Sequence, residues 1–234
     1  MMRVVQLWRY PVKSLGGEPL DRVEVDERGI VGDRRWGLLD VATANVLTAR
    51  RAPQLLFASA RWVDGGVEIR TDDGRVIDDD AALSAWLERD VRLVPAAEGV
   101  RGTYETPLDF EHDTDWVAWE GPEGTFHDSR RTQVSLLSLP SIGDWDVRRF
   151  RINVWLDEGE DDDLVGRSVR LGTVTADIVK KIDRCVMTTR PQPGVERDLD
   201  VLRIINRDRA GDLGVGALVT TPGTIAVGDE LLPD

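Results

Sequence analysis

Leu20-Asp21-Arg22-Val23-Glu24-Val25 alternates apolar and charged residues with a period near two. Successive side chains of a β-strand point to opposite faces, so this stretch reads as a strand with one face buried. Short runs of the same kind surround it. Val4 to Trp8 precedes it, punctuated by Pro11 and Gly16-Gly17; Arg35-Trp36-Gly37-Leu38-Leu39, Leu55 to Ala60 and Gly66 to Arg70 follow, set apart by Asp64-Gly65 and Asp72-Asp73-Gly74. Strands this short, with Gly/Asp turns between them, predict a barrel or sandwich.

Helices are few. Asp79 or Asp80 is placed to cap a helix carrying Leu83, Trp86 and Leu87 at helical spacing. A second is expected to start at Ser138, with Pro140 in its first turn, and a third near Asp198 to Asn206. Val91 to Val94 reads as a strand, and Ala96 to Thr114, polar and interrupted by Gly99, Gly102 and Pro107, as a long loop near a domain join. Phe150 to Leu156 is expected to be a strand, Val169 to Val179 a hairpin around Gly172-Thr173, and Thr224 to Leu232 β-structure. Asp157 to Asp163 holds six acidic residues in seven; without EF-hand spacing it reads as a solvated surface loop.

Composition narrows the function classes. The 234 residues carry a formal net charge of −13, which disfavours nucleic acid and anionic membrane as partners while allowing a local basic pocket. No apolar run is long enough for a membrane span, and Met1 to Tyr10 lacks the apolar core of a secretory signal. The single cysteine forbids an intrachain disulfide, so a reducing cytoplasm is the expected location. One Cys with His112 and His127 builds no all-protein zinc site. GxSxG, HExxH and P-loop patterns are absent.

Several residues invite a chemical reading. Cys185 stands beside Arg184 and close to Lys181, positive neighbours that favour a thiolate. In a strand, Arg151 and Asn153 would share a face and together suit a phosphate and a heterocycle edge. Lys13 and Ser14, before Gly16-Gly17, suit an anion, as do Arg34 and a Ser138 at a helix start. Taken singly, each has a plainer reading: an inert cysteine, a polar stripe, a salt-bridge partner or an N-cap.

Taken in order, the segments resemble the MOSC-domain proteins, named after the C-terminal domain of molybdenum cofactor sulfurase. The pattern is nearest to the mitochondrial amidoxime-reducing components and their bacterial relatives. The resemblance rests on Tyr10-Pro11-Val12-Lys13-Ser14, Asp33-Arg34-Arg35-Trp36, Thr48-Ala49-Arg50 with Pro53, Phe150-Arg151-Ile152-Asn153, Arg184-Cys185 with Thr188-Thr189, and Pro222-Gly223-Thr224-Ile225 with Val227-Gly228-Asp229. It implies a mainly β fold with a few helices: a small N-terminal β-rich domain, residues 1–94, followed by a MOSC β-barrel, residues 95–234. It also implies a molybdenum–molybdopterin cofactor between them, with Cys185 as metal ligand and catalytic residue. Lys13, Ser14, Arg34, Ser138, Arg151, Asn153 and Arg184 would bind the pterin or its phosphate. Soft thiolate suits molybdenum, and the cofactor phosphate needs such donors.

Three features depart from the relatives. The C-terminal iron–sulfur domain common in bacterial members and the membrane anchor of mitochondrial members are not seen, and Leu213 to Leu218 carries Gly and Ala where relatives have aromatics. Three functions follow. The first is reduction of small N-hydroxylated compounds with electrons from a separate flavin or iron–sulfur reductase. The second is sulfur carriage, with a Cys185 persulfide delivered by a pyridoxal-phosphate-dependent desulfurase. The third is a non-catalytic cofactor-binding module.

Overall fold

The structure, a computed structural model, describes residues 1–233. Its centre is an eight-stranded sheet. The strand Val134–Ser138 pairs in parallel with Val154–Leu156 on one side and antiparallel with Asp212–Thr221 on the other. Beyond Asp212–Thr221 come Val174–Asp183, Ser168–Leu171 and Leu231–Pro233; beyond Val154–Leu156 come Val4–Arg9 and Glu18–Leu20. One end of this run, at Leu231–Pro233, comes back against the N-terminal end of Val4–Arg9. Arg3 bridges Glu230, the amide of Leu231 donates to the Met2 carbonyl at 2.9 Å, and the amide of Gly228 donates to the Val4 carbonyl at 2.8 Å. The sheet therefore curls into a barrel whose last stave is the first strand of the chain.

The period-two pattern explains the packing. Val134 and Leu136 point inward with Val4, Leu7, Val154, Leu156, Val169, Leu171, Ile178 and Val215, filling the barrel. Leu137, Trp155 and Leu213 point outward, where the helix Asp200–Arg209 covers them with Val201 and Ile205. The stretch Arg22–Asp26 is a strand with the expected alternation, and it pairs with Gly223–Ala226.

A second core belongs to residues from the first part of the chain. Two small sheets, Val91–Pro95/Trp36–Asp40/Val46–Leu47 and Ala58–Val63/Gly66–Thr71/Val76–Ile77, enclose Leu38, Leu55, Ala60, Ile69 and Leu83. The helix Asp80–Leu87 closes this unit, and its Asp79 cap accepts from the Ala82 amide at 2.7 Å. Met187 and Cys185 pack against this core although they come from the far end of the chain. Among the described residues no helix is long and apolar enough to cross a membrane.

Four expectations fail locally. Ala96 to Thr114 is not a loop: Arg101–Asp109 and Thr114–Glu123 form a long hairpin. Gly102 and Gly121 are there for packing, since a Cβ on Gly121 would lie 2.3 Å from Cε2 of Tyr104 and one on Gly102 would lie 3.1 Å from its Cε1. No α-helix starts at Ser138; the segment after it is a four-residue 3-10 turn, Leu139–Ile142. Phe150 to Leu156 is strand only from Val154, because Arg151 has φ of 52°. The acidic run 157–163 is partly built into the fold: Asp161 is buried and accepts from Ser141 Oγ at 2.8 Å.

Candidate functional site

A cavity of about 330 Å³ opens where residues of the barrel face the first unit and the hairpin. Of the residues singled out in the sequence, it gathers Lys13, Ser14, Arg34, Arg151, Asn153, Arg184 and Cys185. Ser138 is not brought to it. That residue ends a barrel strand, fully buried, with its hydroxyl donating to the Glu158 carbonyl at 3.2 Å; with only a 3-10 turn behind it, it presents no helix N-terminus to an anion. Lys181 is also turned away, toward Asp162 at 2.6 Å, so it is not a neighbour of the Cys185 sulfur.

Backbone geometry aims several of these side chains. Ser14, Arg34 and Arg151 have φ of 71°, 50° and 52°, a left-handed conformation that L-residues with side chains adopt at a cost of order 1 kcal/mol. Tertiary bonds hold them there. The Tyr10 amide donates to Asp33 at 2.7 Å and the Arg34 amide to the Tyr10 carbonyl at 2.8 Å. Arg34 pairs with Asp33 and donates to the Arg151 carbonyl at 3.0 Å, while Arg151 donates to the Leu15 carbonyl. Both guanidinium groups lie over the Tyr10 ring, at 5.1 and 4.4 Å from its centre. Arg151 and Asn153 thus meet at the cavity through a left-handed turn, not through strand alternation.

Asn153 is the best satisfied of the set. Its Oδ1 accepts from Ser135 Oγ at 2.8 Å and its Nδ2 donates to the Trp8 carbonyl at 3.2 Å. Arg184 is held by two carbonyls, Leu213 at 2.7 Å and Phe150 at 2.9 Å, leaving Nη2 buried with no partner.

The cavity is electropositive although the chain is acidic. Burial pushes the Arg151 and Arg184 guanidinium groups down to about 10 and the Lys13 ammonium down to about 8, so each site resists the charge it carries and gains from an anion. Lys13, 4% exposed, donates to the Phe126 carbonyl at 2.8 Å and sits 4.1 Å from the Tyr104 ring centre. Its one carboxylate neighbour, Asp128 Oδ1 at 3.1 Å, is shared with Arg50 at 3.0 Å. The protein packed around Asp128 would raise its carboxyl, and the Lys13 and Arg50 charges outweigh that and hold it well below the usual carboxylate range.

Three wall residues were not assigned to the site from the sequence. Arg50 stands out there as a cation further along the chain from Arg34 and inside the Thr48-Ala49-Arg50 motif, but was not assigned to the site; it is buried, lies 4.9 Å over Trp119 and faces Cys185. Burial alone would lower it, and the facing Cys185 sulfur and Asp128 carboxylate more than offset that, so it stays charged. Asp128 and His127 lie in a segment with no distinguishing pattern. Burial, aided by the Arg34 charge, holds the His127 ring neutral, down to about 3. Cys185 is half-buried and precedes a 3-10 turn, Val186–Thr189, whose Thr188 hydroxyl donates to the Cys185 carbonyl at 3.0 Å.

The comparisons with known proteins agree with this architecture. The family described as MOSC N-terminal beta barrel domain matches residues 1–118, and the MOSC domain family matches residues 124–232. No curated protein matches the sequence. Among solved structures, the YUAD protein from Bacillus subtilis shares the fold at 13% identity and a TM-score of 0.51, over 99% of this chain and 94% of that one. YiiM from Geobacillus stearothermophilus aligns with 58% of this chain and 72% of its own, at 14% identity and a TM-score of 0.38. With both families matched in succession along its length, the chain belongs to the MOSC-domain proteins.

Proposed function

We propose that the cavity binds a molybdenum–molybdopterin cofactor and that the protein reduces small N-hydroxylated compounds. One observation carries the reading: buried donors without partners cluster around the only cysteine. Ser14 Oγ and Arg184 Nη2 both lack hydrogen bonds within a cavity whose cations outnumber its carboxylates. Donors left unpaired in a protein interior cost about 1–3 kcal/mol each, a cost that an anionic pterin phosphate would remove. The donor set fits such a group: thiolate for the metal, arginines and Lys13 for phosphate, Asn153 for a heterocycle edge.

In this reading Cys185 ligates the metal, and Lys13, Ser14, Arg34, Arg151 and Arg184 hold the pterin and its phosphate. Asn153, locked by Ser135 and Trp8, keeps one N–H free for the pterin edge. When bound, the molybdenum supplies the two-electron redox step. Reduction of an N-hydroxylated amine to the amine also takes up two protons and releases water. The single cysteine holds no iron–sulfur cluster, so electrons would come from a separate flavin or iron–sulfur reductase. Purified protein should reduce an amidoxime only when such a reductase and its reduced nicotinamide donor are present. Turnover with the nicotinamide alone would refute the separate donor.

The half-buried position of Cys185 beside a cation also supports a second reading, a persulfide carrier loaded by a desulfurase. That protein would carry labile sulfur lost in Cys185→Ala and would copurify with no molybdenum.

A further inference from the structure

We propose that Arg50 forms a substrate subsite beside Cys185, taking an anionic oxygen of the substrate, most simply one of a carboxylate, on one of its uncommitted N–H groups, Nε or Nη1. The inference rests on the cofactor reading for the word substrate, but the subsite itself is built from this chain's residues. Arg34, Arg151 and Arg184 are tied to one another's surroundings through Tyr10, Leu15 and Phe150. Arg50 belongs to a different wall. It comes from the turn after Val46–Leu47, it stacks on Trp119 of the hairpin, and its own carbonyl accepts from Arg190 at 3.0 Å. Arg190 in turn grips Asp113 at the hairpin tip at 2.8 and 2.5 Å, so the Arg50 backbone is clamped from both sides.

Clamping leaves the guanidinium fixed in place with unused donors. Nη2 is engaged with Asp128 and the guanidinium faces the Cys185 sulfur, while Nε and Nη1 make no hydrogen bond to an oxygen in a residue only 6% exposed. Two cations, Lys13 and Arg50, share the Oδ1 of that one carboxylate, which leaves an excess positive charge on this wall. Nε and Nη1 lie on different sides of the guanidinium, so each offers a single charge-assisted N–H, which an anionic oxygen matches better than a neutral hydroxyl. Thr106 and Trp119 of the hairpin flank the same opening, so a ligand seated on Arg50 would lie next to the Cys185 sulfur.

Because the chain has one cysteine, alkylation reads this wall without any cofactor. Full-length protein from a strain unable to make molybdopterin is treated with iodoacetate and, separately, iodoacetamide. In both reactions the Cys185 sulfur forms a bond to carbon and iodide leaves, so the ratio of rates at one pH cancels the thiolate fraction. The subsite predicts that iodoacetate is favoured in the wild type and that Arg50→Gln lowers the ratio by roughly tenfold, the loss expected for a charge-assisted contact. Arg50→Lys, which keeps the charge but not the fixed N–H positions, lowers it about threefold. A ratio unchanged in both variants, or in Arg50→Lys if Arg50→Gln does not fold, overturns the proposal. With molybdenum-loaded enzyme, Arg50→Gln should erase a preference for carboxylate-bearing over neutral N-hydroxy substrates, through KM and at unchanged molybdenum content. A retained preference overturns the subsite. Protein that never binds molybdenum defeats the cofactor reading instead and leaves the alkylation result standing.

Discussion

Lys13 and Arg50 share one carboxylate oxygen, and the consequence for Lys13 is a titration inside the working pH range. Burial brings its ammonium down to about 8 from an ordinary value of 10.5. The folded protein therefore gains stability from this residue as pH rises from 8 to 10.5, where the unfolded chain binds the extra proton. An anion needs the charged form, so affinity for a phosphate-bearing ligand should fall as pH rises through 8, with proton uptake on binding above that pH. Calorimetry in buffers of different ionisation enthalpy checks this, and Lys13→Met should remove the step. Ser14 makes a second case. Its hydroxyl has no partner and its φ is 71°. Ser14→Gly should leave the melting temperature unchanged or higher while cofactor is lost more readily on dialysis; a residue placed for packing would show the reverse. The Cys185→Ala protein should fold with a loss of about 1–2 kcal/mol and lack N-reductase activity. Full activity in that variant would remove Cys185 from the chemistry. The sequence displayed most of the cavity's arginines through short motifs. It could not display Asp128 or His127, which matter through what lies across from them, and it misplaced Ser138 by inferring a helix from one proline.

At the scale of elements, alternation was legible wherever one face meets a core. Arg22–Asp26 follows from it, while Val91 to Val94 reads as a strand and Val169 to Val179 as a hairpin from its Gly172-Thr173 turn. The helix after Asp79 was announced by its cap. The Arg101–Glu123 hairpin was hidden because its glycines mimic loop punctuation. Their role is to let the Tyr104 ring lie flat across the partner strand, where it meets Lys13. Gly121→Ala should push that ring aside and cost about 1–3 kcal/mol in thermal or denaturant unfolding, and it should weaken anion binding through Lys13. Unchanged stability would mean that the hairpin tolerates the methyl by moving, and that it is not the rigid wall described here.

At the scale of the molecule, a chain of net charge −13 encloses a cavity lined by arginine. The contrast steers anions to one place and raises the cost of leaving that place empty. It also predicts acid lability. His127 is held neutral down to about 3 by burial and the Arg34 charge, whereas an unfolded histidine protonates near 6.5. Stability should fall as pH drops from 6.5 toward 3, by up to about 1.4 kcal/mol per unit from this residue alone. His127→Gln should show a smaller loss of melting temperature between pH 7 and 4.5 than the wild type; an equal loss would assign the effect elsewhere. The barrel closure through Arg3 and Glu230 was not legible, since it joins two ends of the chain by a few backbone bonds.

The account turns on what the cavity holds. The most direct measurement is the molybdenum and pterin content of the protein purified from a strain competent in molybdopterin synthesis, with Arg151→Ala and Lys13→Ala purified alongside. About one molybdenum and one pterin per chain are predicted for the wild type, with affinity lowered roughly ten- to hundredfold in each variant by loss of a contact to an ionised group. Folded wild-type protein without molybdenum or pterin, or equal occupancy in all three proteins, would contradict it.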